Sequence, residues 1–255
     1  MIDFHNHILP GADDGSKSMD MTLNMLKTAQ NQGITTIVNT IHFQHPKMED
    51  KNTDYKYVKK IRDIVLKEAN NQNIKINIKL AAEVYYLPNL CELISNPLLT
   101  INNYMLVEFP MVIVPENYLD TFFNLQLKGI TPILAHPERY RCFQENIDNL
   151  QKCIDMGVIL QIDAGSIIGH FGKHTKNIAY KMLSKGYCHI IGSDSHNDTK
   201  RNFCLKEAYD LIESYNNKIV SQLKKNSKLL IEGKGALTQI KVDLDSGFLI
   251  FKGLI

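Results

Sequence analysis

MIDFHNHILPGADDG (Met1–Gly15) begins as a short strand, Ile2-Asp3-Phe4, and then carries two histidines two positions apart. Side chains alternate along a strand, so His5 and His7 leave on one face while Asn6 points the other way. That arrangement suits two ligands on one ion, since neutral imidazole is the commonest side-chain metal ligand. Pro10-Gly11 breaks the strand, and Asp13-Asp14-Gly15 returns carboxylates through a turn. Two strand histidines satisfied by hydrogen bonds, beside a solvated acidic turn, would give the same local pattern. The ends of the other strands decide between the two.

The chain has 255 residues, 44% of them hydrophobic, and a formal net charge of +2. That is enough for one large core, and single domains of this length are common among α/β barrels. The near-neutral charge argues against a dedicated nucleic-acid binder. Five scattered cysteines (Cys91, Cys142, Cys153, Cys188, Cys204) form no CxxC pair, which argues against a disulfide framework or zinc ribbon and favours a reducing compartment. There is no basic-then-apolar leader and no apolar run of the ~18 residues a membrane span needs, so a cytoplasmic protein without membrane insertion is expected.

Outward from the first stretch, helical and strand patterns alternate. Ser16–Gly33 predicts a helix with Met19, Leu23 and Leu26 on one face, Ser16 or Ser18 as cap and Gly33 as stop. Ile34–His42 (ITTIVNTIH) is a strand ending in His42, with His45 in the loop beyond as a solvated or substrate-side residue. Asp54–Asn70 is helical through Tyr57, Ile61, Ile64 and Val65. Ile74–Leu80 alternates and runs into Ala82-Glu83. Tyr104–Phe109 is a buried strand carrying Glu108, and Glu116–Lys128 a helix. Ile130–His136 (ITPILAH) is a strand, Asn146–Met156 a helix, Val158–Ala164 a strand and Lys173–Lys185 a helix. Tyr187–Gly192 is followed by Ser193-Asp194-Ser195-His196, then by helices at Arg201–Tyr215 and Lys218–Lys234. His170 and His174 read as loop or solvent-facing residues, because an HxxxH without the accompanying Glu is a weak signal.

About seven strand–helix units imply a parallel sheet with right-handed crossovers, closed or nearly closed into a barrel. His5/His7, His42, Glu83, Glu108, His136 and Asp194/His196 all fall where strands finish. In barrels that end is the active-site face, whereas the interior below it is filled by branched apolar side chains. Imidazoles and carboxylates at nearly every strand end therefore read as a site. Too many for one ion, they suit two or three divalent ions with a carboxylate such as Glu83 bridging. A donor set without thiolate favours Zn, Mn or Fe. Closely spaced ions lower the pKa of a shared water and clamp an in-line phosphoryl displacement. Arg139 and Arg201 follow two of these strand ends and match phosphate oxygens bidentately. No cysteine precedes an arginine at Cys-x5-Arg spacing, and no GxxxxGK[ST] loop occurs.

MIDFHNHILPGADDGSKS, the strand ending in His42, AAEVYYLP, LVEFP, ITPILAHPERY and IIGSDSHN resemble the PHP (polymerase and histidinol phosphatase) superfamily. Within it they resemble the manganese-dependent bacterial protein-tyrosine phosphatases of capsule and exopolysaccharide synthesis. The resemblance runs from Met1 to about residue 233 and implies a distorted (β/α)7 barrel. It implies one ion on His5, His7, Glu83 and Asp194, a second sharing Glu83 and adding Glu108 and His136, and a third on Asp14, His42 and His196. It further implies phosphate contacts from Arg139 and Arg201, a water between the ions as nucleophile, and the phosphotyrosine tail of a bacterial tyrosine kinase as substrate. Asp194 or a metal-bound water could be the general acid. Alternatives are a phosphoesterase on a small monoester such as histidinol phosphate, or a metal-bound scaffold without turnover. Two departures are Phe43-Gln44, where some relatives carry basic residues, and Ala82, where glycine is frequent.

Residues 1–234 read as the barrel. Beyond it, Ile240, Val242 and Leu244 alternate, Asp245-Ser246-Gly247 signals a turn, and Phe248–Phe251 is apolar, which predicts a β-hairpin over 235–255. An isolated hairpin is marginal in water, so a contact within a homo-oligomer is a further expectation.

Overall fold

The computed structural model describes residues 1–48 and 53–234. The expected hairpin of 235–255 and its oligomer contact lie outside the described residues. Seven strands form one parallel sheet in sequence order: β1 (Ile2–Asp3), β2 (Thr36–Phe43), β3 (Asn77–Tyr85), β4 (Tyr104–Glu108), β5 (Thr131–Ala135), β6 (Ile159–Asp163) and β7 (Ile190–Gly192). Around them run α1 (Met19–Asn31), α2 (Tyr55–Asn71), α3 (Leu90–Leu93), α4 (Tyr118–Leu127), α5 (Arg141–Glu145), α6 (Gln151–Asp155), α7 (Ala164–Ile168), α8 (Gly172–Lys185), α9 (Leu205–Tyr215) and α10 (Asn217–Ile231). Ser18 caps α1 by accepting from the Met21 N–H, and Asp54 caps α2 by accepting from Lys56 and Tyr57. Gly186 stops α8 in the left-handed region that glycine tolerates best, at φ 73°.

The two-residue period of the strands divides the core in two. One set of positions (among them Ile37, Ile41, Ala82, Val107, Leu134, Leu160 and Ile191) packs outward against the helices. The alternate set (Phe4, Val38, Ala81, Leu106, Ile133, Ile159 and Ile190) fills the barrel interior, floored by Tyr104 and by Leu230 of α10. Two residues further along the same inward rows stand Thr40 then His42, Glu83, Glu108, and Gln161 then Asp163. The register that buries the apolar floor therefore also aims the polar side chains at the top.

β1 and β7 share no full ladder. A single parallel bridge between Asn6 and Ser195 closes the barrel, with the His7 N–H donating to Ser195 O at 2.8 Å and the Asp194 N–H to His5 O at 2.7 Å. Beneath it the buried Asp3 carboxylate accepts from Ser193 N–H at 3.0 Å and Ser193 Oγ–H at 2.5 Å. Gly192 is required here by close approach, because a Cβ on it would lie 2.5 Å from His5 Cβ and 2.8 Å from Gln161 Nε2. Gly192→Ala should accordingly cost about 1–3 kcal/mol through overpacking and displace the His5 ring. A lowered urea midpoint together with a lowered ion stoichiometry would show both effects; an unchanged midpoint would refute the crowding.

Several expectations shift in detail. The first strand is shorter than its sequence pattern, and His5–His7 sits in the bridging segment rather than in a ladder. The predicted 146–156 helix is a 3-10 turn, Ile147–Leu150, running into α6. Short helices α5 and α7, unforeseen, occupy the loops after β5 and β6. Ile64 of α2 is 46% exposed, so the buried stripe is Val58, Val65 and Ala69 instead.

Candidate metal centre

All nine ligand candidates converge above the barrel floor. His5 Nε2 stands 3.1 Å from Glu83 Oε2 and 3.4 Å from Asp194 Oδ1, and His7 Nε2 stands 3.3 and 3.4 Å from the same two oxygens. The two Nε2 atoms are 3.4 Å apart. His42 offers Nδ1 to Glu83 Oε2 and Nε2 to Asp14 Oδ1, both at 3.3 Å. His196 Nε2 reaches Asp14 Oδ1 at 3.4 Å, and His136 Nε2 lies 3.0 Å from Glu83 Oε1 and 3.8 Å from Glu108 Oε1. Three groups have their ligand atoms within 4.8 Å of one another: His5/His7/Glu83/Asp194, His7/Asp14/His42/His196, and His42/Glu83/Glu108. His7, His42 and Glu83 each fall in two of these groups, whereas His136 joins through Glu83. Only Asp14, with its side chain 48% exposed, faces solvent strongly.

Local structure explains this convergence. His136 (φ 34°) and Asp194 (φ 47°) adopt left-handed backbone just past β5 and β7, a conformation seldom used by residues other than glycine and typical of functional turns. The loop after His7 folds back on itself, with Ser16 N–H donating to His7 O at 3.0 Å. Gly15 permits that fold, since a Cβ there would overlap the His7 carbonyl.

The ring orientations test whether the site fits metal ions. His5 Nδ1–H donates to Gln161 Oε1 at 2.7 Å, His7 Nδ1–H to Asp13 Oδ2 at 2.7 Å, and His196 Nδ1–H to Asp194 O at 2.8 Å. These acceptors fix the tautomer and leave the three Nε2 lone pairs pointing inward, the arrangement that metal-ligating histidines use. Among the buried polar atoms, His42 Nδ1, His136 Nδ1 and Glu108 Oε2 make no hydrogen bond. Inward lone pairs, orphaned buried atoms and facing carboxylates together match a divalent-cation cage, and no thiolate enters it.

Electrostatics agree. Burial alone would lower His5, but Glu83 and Asp194 override it and hold it at about 9. Burial would likewise lower His7, and Asp13 raises it well above the ordinary imidazole range. Burial would raise Glu83, yet His5, His136 and His7 pull it well below the ordinary carboxylate range. Glu108, buried beside the Glu83 charge, is pushed up to about 8. Without ions, then, the centre carries protons that divalent cations must displace. Ion binding to stripped protein at pH 7 should release at least one proton per chain, and apparent affinity should rise with pH through about 9 as His5 gives up its proton. Titration calorimetry in two buffers of different ionisation enthalpy measures this; heats independent of buffer would contradict it.

The arginines complete the rim. Arg139 NH1 and Arg201 NH2 both donate to Asp194 Oδ2, at 2.8 and 2.6 Å, and Arg139 NH1 also reaches Asp163 Oδ2 at 3.4 Å. Asp194 thus turns one oxygen to the histidines and the other to the arginines. Asp13, Gln161, Asp163 and Glu138 support the site but were not expected to. Asp13 was visible as half of the Asp13-Asp14 pair, and Gln161 and Asp163 as polar interruptions of an apolar strand. Glu138, fully buried, accepts from Asp163 N–H at 3.0 Å and Ser166 Oγ–H at 2.7 Å. His170 and His174 are exposed, and His45 packs its ring 4.8 Å from that of His42. Burial pushes the Cys142 and Cys153 thiols up to about 11 and raises the other three as well, so none is poised as a nucleophile.

Fold and site together define a seven-stranded α/β barrel hydrolase scaffold with a histidine–carboxylate centre at its C-terminal face. The model of the capsular polysaccharide synthesis family CpsB/CapC matches residues 1–232, and the chain belongs to that family. It is 34% identical to CapC of Staphylococcus aureus over 94% of each chain, and 32% identical to the tyrosine-protein phosphatase YwqE of Bacillus subtilis, again over 94% of each. A crystal structure from work on YwqE of Bacillus subtilis and CpsB of Streptococcus pneumoniae, described as metal-dependent tyrosine phosphatases, superposes with a TM-score of 0.87. Identity to it is 31%, covering 94% of this chain and all of that one. Among the described residues, no helix is long and apolar enough to cross a membrane.

Proposed function

We propose that the chain is a metal-dependent protein-tyrosine phosphatase acting on the phosphotyrosine tail of a bacterial tyrosine kinase of capsule or exopolysaccharide synthesis. The observation that carries this is the joint use of Asp194, whose two oxygens couple a histidine–carboxylate cage to two arginines. A scaffold would need the cage alone.

His5, His7, Glu83 and Asp194 would hold one ion, Glu83, Glu108 and His136 a second, and Asp14, His42 and His196 a third. The donor set fits Mn, Fe or Zn, with Mn favoured by the family resemblance. When bound, such ions supply Lewis acidity, lowering the pKa of water and neutralising phosphate charge. Arg139 and Arg201 keep guanidinium N–H groups beyond those given to Asp194, and these orient the phosphate and offset the charge that develops on its equatorial oxygens. Gln161 and Asp13 hold the rings in register. A tyrosine leaving group, with pKa about 10, departs more readily than an alkoxide and asks less of a general acid.

Metal-stripped protein refilled with Mn, Fe, Zn or Mg should hydrolyse a phosphotyrosine peptide in preference to histidinol phosphate. The Arg139→Ala, Arg201→Ala double variant should lose about 10²–10³-fold in kcat/KM with its ions retained. Preference for the small monoester would assign a different phosphoesterase, and full activity in the double variant would remove the arginines from the mechanism.

A further inference from the structure

Both arginines rest against an aromatic ring. Arg139 Cζ lies 4.5 Å from the Phe171 ring centroid and Arg201 Cζ 5.9 Å from it. Phe171 sits between Gly169 (φ 100°) and Gly172 (φ 87°), a backbone path that ordinary residues rarely follow, just before α8. Gly165 makes room for it, since a Cβ there would come within 3.0 Å of Phe171 Cε2. The side chain is only partly buried, so filling core space does not account for this placement.

The physical need is clear from the charges. Two guanidinium groups converge on one oxygen, Asp194 Oδ2, and repel each other. The Nε of Arg201 is buried without a hydrogen-bond partner, and its NH2 group alone carries both contacts to Asp194, to Oδ2 at 2.6 Å and to the backbone O at 3.3 Å, so one end of the guanidinium is held and its plane is left to other contacts. An aromatic face attracts a cation through its quadrupole and favours a defined stacking geometry for the planar guanidinium. Asp194 supplies the anchor, and the ring supplies the orientation.

We propose that Phe171 is a positioning residue that fixes the Arg139 and Arg201 guanidinium planes, so that their remaining N–H groups are set for phosphate before it arrives. This rests on the reading of both arginines as phosphate ligands. Leucine at this position keeps the bulk and loses the aromatic face, whereas tyrosine keeps the face.

Two measurements on Phe171→Leu and Phe171→Tyr test it. The first uses metal-free protein and needs no turnover: 15N relaxation of the Arg139 and Arg201 Nε–H groups. These should be ordered in wild type and in Phe171→Tyr and mobile in Phe171→Leu; equal order in all three overturns the proposal. The second is binding of inorganic phosphate to metal-loaded protein by calorimetry. Phe171→Leu should weaken it about fivefold to thirtyfold, the span of one to two cation–π contacts, with ion stoichiometry unchanged, and Phe171→Tyr should restore it. In an Arg139→Ala, Arg201→Ala background the leucine change should add nothing. An equal loss in that background would show that Phe171 acts by packing alone and overturn the proposal. If the double arginine variant binds phosphate like wild type, the reading of the arginines fails, a result visible before Phe171 is touched, and the proposal falls with it.

Discussion

Glu83→Gln should cost at least about 10⁴-fold in phosphatase turnover, because two ion positions share this carboxylate and each contributes on the order of 10²–10³-fold. Glu83 is buried among His5, His7, His42 and His136, every one within 3.3 Å of its oxygens. Glutamine keeps the shape and removes the charge. In the metal-free protein that change leaves the His5 imidazolium without its main counter-charge. Truncating one side of a buried pair costs about 3–5 kcal/mol, and His5 should respond by giving up its proton at neutral pH. Plasma mass spectrometry should find ions lost from two positions, and the ion-linked proton release should shrink. Wild-type stoichiometry and turnover in Glu83→Gln would remove Glu83 from the centre.

Exhaustive chelation should abolish turnover and lower the melting temperature by about 10–20 °C. An ion at a hundred times its Kd stabilises the folded state by about 2.7 kcal/mol. Two such ions give roughly twice that, and a domain of this size shifts by about 2–4 °C per kcal/mol. The chelated protein should also show its own pH signature. His5 is held at about 9 when folded against 6.5 when unfolded, so its contribution is fully present below 6.5 and lost as pH rises through 9. Glu108, raised to about 8 from 4.5, likewise favours the folded state only at low pH. Stripped protein should therefore lose stability between pH 6.5 and 9, while loaded protein should not. Calorimetric scans across that range settle it; identical curves with and without chelator would deny structural ions.

Much of this was legible in the sequence because a barrel writes its site at a fixed place in each unit. His42, Glu83 and Glu108 continue the inward rows that begin with Val38, Ala81 and Leu106, so the strand period that locates the core locates them too. What stayed hidden lies in loops or depends on partners distant in sequence. Nothing local distinguishes Gln161 as the acceptor for His5 Nδ1 across 156 positions. The pairing of Asp13 with His7, against Asp14 with His42 and His196, depends on how one loop folds back. Ile64 fits a helical stripe and is nonetheless exposed, because the hydrophobic face of α2 is narrower than its apolar residues suggest. Phe171 carries no signal, since its role comes from arginines on two other loops.

The seam at Asn6 and Ser195 also has a meaning for how the chain is made. Asp3 and Ser193, which pair beneath it, stand 190 positions apart, so the joint is among the last contacts a growing chain can form and carries a large loop-closure cost. Two of the three ligand groups need Asp194 or His196 and cannot exist on a ribosome-bound chain until those residues have emerged. Filling of those two groups is thereby delayed until the seam has been made, and their ions become a late staple across the edge between β1 and β7. A message truncated just ahead of Ser193 would keep all seven strands but lack Asp194, His196 and Arg201, and so yield neither a complete arginine rim nor a complete cage.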